Sequence, residues 1–589
     1  MLIVEDFEGL APQADPARLP VSRATEARNL TMQRGALTSL PITFGRITPH
    51  QLKNESLGDF PDGHSARGVF YSHMADAWFV MGHEVTGFAD SLVAPMDKWG
   101  RVYFCTPEGI RFMTSDQYQS GAVNFNRQSF RLGIPVPPAP PIANVNTEDI
   151  DEDGDPILQR VFYTYSFMDR FGHEGPLSAP SNPVDIPTDE SFSVNITLPE
   201  LHDSSGYALA GGISEDDTGY KLIYRSSTGS TNTVWQFVGK VPYSQTDFED
   251  TVMFGDEAET AITEDWYPPL QTVKHMEVVA NSFLAGVYDT LEQGQLTPSV
   301  VCFSMPRMLH AWPESYRFPV KYRVTAIKSS GDGLFVGTTR NPFWCFGADP
   351  QSAMPQELPY DFPCLSENSV VDMGGFVIYS SNVGLVSMNG HGGSVLTQGL
   401  FTERDWAELG PDTLECFRFE EHLMFYSHKQ DELYAIHPND PATLTTIDKD
   451  GVDLKWYLNE GKGRTVYDSR ERKTILVSGQ PFFAGAELLK LEKSAGATVR
   501  WVGPIVQKPP LHFSTAKVQA SEYPLTFIMR GSHMEELTME ITSERPFRLP
   551  PIPPQRWVQV GVEFEADDDD RRAVYQIALA RTVQELRHG

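Results

Sequence analysis

Basic side chains are scarce in this chain: 47 Lys and Arg stand against 78 Asp and Glu in 589 residues, a formal net charge of -31. Such a surface repels a phosphate backbone, which excludes nucleic-acid reading by phosphate neutralisation. Cysteine is scarcer still. The five (Cys105, Cys302, Cys345, Cys364, Cys416) lie far apart with no CxxC spacing, so neither a zinc site nor a disulfide framework is expected, and the odd count fits assembly in a reducing cytoplasm. No apolar run approaches the roughly 20 residues of a membrane-spanning helix. The opening MLIVEDFEGL has no basic segment ahead of a short apolar run, so no signal peptide is expected, and the sequons at Asn29, Asn54 and Asn195 are chance matches.

Complete catalytic motifs are missing too. There is no GxSxG elbow, no GxxxxGK[ST] loop and no GxGxxG strand-to-helix turn, which leaves hydrolase, nucleotide and dinucleotide chemistry without its usual support. His83-Glu84 lacks the second histidine of a zincin helix, and Gly390-His391-Gly-Gly is a flexible turn. Asp149, Asp151, Asp153, Gly154 and Asp155 match the first half of a calcium loop. The twelfth position, which needs a bidentate glutamate, is Arg160, so the run is expected to be a solvated acidic turn. Ser330-Gly-Asp332-Gly-Leu334 begins like the Asp box of propeller glycosidases but is not repeated. Trp78, Trp344, Phe376 and Phe425 sit in strand-like apolar runs and are expected in the core rather than on a sugar platform. No catalytic, cofactor-binding or metal site is predicted, and no cofactor.

What the sequence does have is a recurring apolar hairpin, spaced by roughly 40 to 50 residues. Six stretches carry it: Trp78 to Thr114, then those containing Asn281-SFLAGVYD, Asp332-GLFVGTTRNPFWCFG, Gly375-FVIYSSNVGLVSMNG, Glu421-HLMFYSHKQDELYAIHP and Arg472-KTILVSG with ELLKLEK beyond it. A small sheet with one apolar face cannot bury that face alone, so units at this period stack radially. Glycine (46) and proline (44) fall between the runs, as in an all-β protein. The predicted fold is an all-β, six-bladed propeller carrying additions.

The additions follow from composition. Residues 1–65 hold few strand-like runs and begin with a Pro-rich stretch; they are expected to form an extended arm whose Phe7 to Pro20 portion docks on a neighbouring ring. Residues 66–133 are the first blade, and Ile134-PVPPAPPI marks its end. Runs such as Val161-FYTYSF, Tyr220-KLIYRS and Trp235-QFVGKV give a β-sandwich over 134–270. The remaining blades occupy 271–494. A C-terminal β domain fills 495–589, with the acidic run Asp567 to Asp570 in a hairpin loop.

The stretch Tyr163-TYSFMDRFGHEGPLSAPS resembles the fibronectin type III-like modules embedded in phage tail proteins. The opening constellation Phe7, Gly9, Pro12, Pro16, Leu19-Pro20, Ala24, Ala27, Asn29-Leu30, Gly35 and Leu37 resembles the start of virion structural proteins of tailed bacteriophages. Pro546-Phe-Arg548-Leu-Pro550, Tyr575-Gln-Ile-Ala-Leu-Ala and Glu585-Leu586 resemble their closing domain. Together with an interrupted propeller, the whole chain is similar to the tail nozzle, or tubular tail protein B, of short-tailed phages. The resemblance implies a non-enzymatic virion protein, assembled in the host bacterial cytoplasm. Six copies would form a ring below the portal and adaptor, next to tail fibres or spikes, and double-stranded viral DNA would pass without sequence-specific binding. The alternative is a receptor-binding or glycan-active tail component with a site on a propeller face.

Overall fold

In a computed structural model the chain is 49% strand and 5% helix, an all-β protein. The structure describes residues 1–40, 42–46, 52–54, 68–72, 77–81, 85, 87–89, 97–119, 129–146, 157–188, 191–201, 206–209, 218–228, 233–280, 282–292, 295–331, 333–347, 349–449, 451–458, 464–468, 473–477, 488–493, 496–507, 512–566 and 572–587.

Small antiparallel meanders succeed one another along the chain as in a propeller. Their hairpins come from short apolar runs such as Gly333–Thr338 and His422–Ser427, both buried throughout, as strands covered on both faces are. Among the described residues seven sheets, not six, take part. The first has Leu52–Asn54, Gly68–Ser72 and Ala77–Met81; the second runs from Gly87–Ala89 to Phe130–Arg131. The third to sixth span Met276–Val279 to Arg317–Pro319, Val324–Ser330 to Pro355–Glu357, Val371–Asp372 to Gly392–Val395, and Glu415–Phe419 to Asp440–Ile447. The seventh has Arg464–Asp468, Lys473–Val477 and Leu488–Lys493. The leading strands of sheets two to seven pack in succession, and that of the seventh packs on Gly68–Ser72 of the first. Phe79 against Phe88 and Tyr118 joins the first sheet to the second.

The count differs because the hairpin pattern from Trp78 to Thr114 is shared by two sheets. Ala77–Met81 belongs to one, and Gly87–Ala89, Val102–Thr106 and Gly109–Met113 to the next. At the following boundary a Cβ on Gly87 would meet the Met276 carbonyl oxygen at 2.1 Å, so the leading strands of the second and third sheets approach at a glycine.

The N-terminal segment is not an extended arm. Ile42–Arg46 pairs with Leu488–Lys493 and supplies the fourth strand of the seventh sheet, so residues some 440 positions apart close the ring. Leu2–Val4 and Ala36–Ser39 pair with Ala573–Ala580, and Glu26–Arg28 bridges Asp440–Ile447 of the sixth sheet and Thr498–Val502. The sixth sheet therefore continues into the C-terminal domain as one nine-stranded sheet. A sheet of six strands faces it across a core containing Phe7, Leu30, Trp501, Phe527, Val560 and Ile577. The surface the Phe7 to Pro20 stretch lies along is this chain's own. Gly9 and Leu10 donate their N–H groups to Ala442 and Leu444, and a Cβ on Gly9 would strike the Leu444 carbonyl oxygen at 2.2 Å.

Between the second and third sheets, Ile142–Val145, Val194–Thr197 and Asp247–Asp250 form one sheet. Tyr163–Met168, Tyr220–Thr228 and Thr233–Pro242 form another, and Leu158–Val161 pairs with Val184–Pro187. They enclose one core, with Tyr163, Tyr165, Phe167, Ile196 and Ile223 fully covered. Arg225 is buried beside it, donating to Asp250 at 2.8 Å and Glu257 at 2.5 Å, and Tyr163 donates its hydroxyl to Asp250. A guanidinium taken this far from water is tolerated because both carboxylates and the Val252 carbonyl accept from it.

Candidate functional site

Two places concentrate ionisable side chains away from the ordinary surface. The first is where the leading strands converge. Lys328, on Val324–Ser330, donates to Glu277 on Met276–Val279 at 2.7 Å and ties the third sheet to the fourth. Ser330 donates to Asp372 at 2.7 Å and ties the fourth to the fifth. Glu367 lies 3.4 Å from His275. Burial pushes the Lys328 ammonium towards neutrality, and Glu277, then Asp372 and Glu367, outweigh it and hold the charge on. Carboxylates that converge on an ammonium are occupied as ion-pair partners. General acid–base work on a glycoside instead requires one protonated and one free carboxyl across the scissile bond.

The second is the joint between propeller and inserted sandwich. Asp97 accepts from Arg101 at 2.7 Å; Arg101 reaches the ring of His173 at 3.0 Å; His173 pairs with Asp169 at 3.0 Å and stacks on His310 with ring centroids 4.5 Å apart. His310 is 7% exposed and its Nε2 has no hydrogen-bond partner. Burial, then the neighbouring His173 and Arg101, keep its imidazole neutral well below the usual histidine range. A cavity of about 20 Å³ lined by Arg101, Tyr103, Asp169, His173, Arg307 and His310 adjoins it, room for one water molecule.

The residues singled out in the sequence fall as follows. Ser330 is at the axis, whereas Asp332 lies outside the described residues, as do Asp149 to Asp155, Asp567 to Asp570, His83 and Glu84. Arg160 is engaged by Asp185 at 2.9 Å. His391 sits in a turn where the Asn389 side chain accepts from the N–H groups of His391 and Gly392. Trp344 and Phe425 are core, Phe376 is half-buried, and all five cysteines are buried thiols outside any disulfide. Among the described residues no group of three or more His, Cys, Asp or Glu is placed to hold a metal ion, and no helix is long and apolar enough to cross a membrane. Glu277, Lys328, Glu367, Asp372 and the His173–His310 stack carry no motif. Isolated polar residues in strand or loop segments gave no signal by which to find them.

Searches against protein-family profiles and among curated proteins return no match to this chain. Among solved structures, the Dos1 propeller is similar at 7% identity over 73% of this chain and 96% of its own, with a TM-score of 0.25. An exo-β-1,3-galactanase from Phanerochaete chrysosporium with galactose matches at 8% identity over 65% of this chain and 99% of its own, with a TM-score of 0.18. A glucose dehydrogenase matches at 9% identity over 73% and 99%, with a TM-score of 0.20. Superpositions this loose say nothing about activity, and the propeller reading stands on the strand pairing of the chain itself.

Proposed function

We propose that this chain is a structural component of a bacteriophage tail, a nozzle subunit. Six copies ring the DNA ejection channel below the portal and adaptor, beside fibres or spikes, in a virion assembled in the bacterial cytoplasm. The observation that carries the proposal is the order of modules: an interrupted propeller, a sandwich of the fibronectin type III-like kind inserted early, and a C-terminal β domain completed by the N-terminus. That order is the one implied by the phage-like opening and closing constellations, and every module is built for packing. The DNA path of such a ring runs between chains rather than along a propeller's own axis, which Lys328 and its carboxylates bridge. Six chains at -31 each carry a formal charge of -186, and acids facing the lumen would let a polyanion slide without counterion-releasing contacts.

The test is imaging of the parent particle with this chain labelled. The expected result is a sixfold ring at the tail axis. Label on a fibre tip, or off the axis, would replace the nozzle by the receptor-binding alternative, and absence from the particle would remove both.

A further inference from the structure

The C-terminal domain stands apart electrostatically. Residues 495–589 hold 11 Lys and Arg against 12 Asp and Glu, leaving 36 against 66 for the rest of the chain. Three cations of the domain are already paired with carboxylates. Arg500 and Arg530 share Glu26 and Glu536, Arg500 also meets Glu563, and Lys517 meets Glu544. Arg548 and Arg581, like Arg545 and Arg556, are exposed, and among the described residues no carboxylate pairs with them. Glu585, the nearest acid in sequence, accepts from the Arg581 backbone N–H at 3.2 Å.

These two arginines and exposed His512 border one groove of about 510 Å³, whose walls include Phe513, Leu549 and Ile552. Its frame is fixed. Leu549 N–H donates to the Ser514 carbonyl, Ser514 donates its hydroxyl to the Arg581 carbonyl at 2.5 Å, and Thr515 pairs with both Arg548 and Ala580 across the sheet. The guanidinium groups therefore stand on a stiff rim beside apolar surface.

We infer that this groove is the docking site for an acidic, partly apolar surface segment of a second copy of the same chain. Charge complementarity selects the occupant: the remainder of the molecule is 30 charges negative, so a neighbouring copy presents acids to these arginines, while two copies without this groove would only repel. The contact is heterologous, joining the C-terminal domain of one copy to another part of the next, and repetition of such a contact by rotation closes a ring. The inference rests on the nozzle reading for its biological setting but not for its test.

The experiment is sedimentation velocity of the full chain at low and high salt, for the wild type, for Arg548→Glu with Arg581→Glu, and for Arg548→Gln with Arg581→Gln. The wild type is expected to self-associate at low salt and less at high salt. The glutamine pair should weaken association about tenfold or more and the glutamate pair should abolish it, both with unchanged melting temperature. Wild-type protein that stays monomeric, or variants that associate as the wild type does, overturn the inference. So does a result in which the substitutions spare self-association but remove salt-dependent binding of a duplex DNA probe, which reassigns the groove to phosphate. Association dependent on these arginines, in a protein that particle images place outside any axial ring, keeps the groove and removes the nozzle. An axial ring formed equally by the variants does the reverse.

Discussion

The propeller meets its two additions by different means. At the inserted sandwich the contact is made largely by side chains, Arg101, Asp169, His173 and His310 with Phe171 packed edge-on to Trp99 and Phe112, and by single backbone bonds such as Arg131 N–H to the Gly206 carbonyl rather than by a shared ladder among the described residues. At the C-terminal domain a shared strand ladder is added to side-chain contacts. Asn29, at φ 56°, takes a hydrogen bond from Asp448 N–H onto its side-chain oxygen and donates its amide to Asp448 and Thr498, while the ladder runs unbroken from the sixth sheet through Glu26–Arg28 into Thr498–Val502. A side-chain joint can loosen while both partners stay folded. A shared sheet and shared core cannot come apart without unfolding both sides.

The largest test of that contrast removes residues 1–46. This deletes the closing strand of the seventh sheet and four further strands that pair with ring and C-terminal domain, so loss of the folded state is expected rather than a folded monomer lacking an arm. A cooperative melt in the truncated chain would break the comparison. Trp501→Ala is next. The indole is fully buried, meets Phe7 edge-on at 4.8 Å and donates to the Glu8 carbonyl, so a loss of about 3–5 kcal/mol is expected in chemical denaturation, with the propeller affected in the same transition.

Acid should act on the C-terminal weld through His422, whose Nε2 lies 2.9 Å from the Thr31 hydroxyl. Burial, with repulsion from His437 and Lys493, lowers its pKa from 6.5 to about 4. The folded value lies below the unfolded one, so the neutral ring's contribution is complete above pH 6.5 and is lost as pH falls towards 4, up to roughly 3 kcal/mol at 1.36 per unit. His422→Gln should flatten that part of the stability–pH curve; an unchanged slope would assign the acid sensitivity elsewhere, His310 being the first alternative. The smallest effect is expected at the sandwich joint. Asp169→Asn weakens the hold on His173 and should cost about 1–2 kcal/mol, seen as faster hydrogen exchange in the sandwich and at Arg101 to Met113 while the nine-stranded sheet keeps its protection. Uniform loss of protection would mean that the two joints do not differ in kind.

Hairpins were legible because their signal is local. A short apolar run such as Leu334 to Val336 or Leu423 to Tyr426, bounded by turn residues, marks a strand whatever it pairs with, and the insertion announced itself by the prolines after Ile134. The boundary between Ala77–Met81 and Gly87–Ala89 was not legible, since two strands of different sheets separated by a few residues look like one hairpin. The axial cluster was hidden for a related reason: Glu277 and Lys328 are 51 positions apart and meet only because leading strands of adjacent sheets converge.

By itself the sequence determined the class of structure, since short apolar runs punctuated by glycine and proline can bury their faces only in stacked sheets, and it determined that the surface is strongly acidic. Tertiary structure alone decided the number of sheets, the closure of the ring by Ile42–Arg46, and the conversion of an apparent Pro-rich arm into the core of the C-terminal domain. The physical reason is the range of the interaction. Which distant edge a strand such as Glu26–Arg28 or Ile42–Arg46 completes depends on where unpaired N–H and C=O groups are left when everything else has packed, and no local pattern records that.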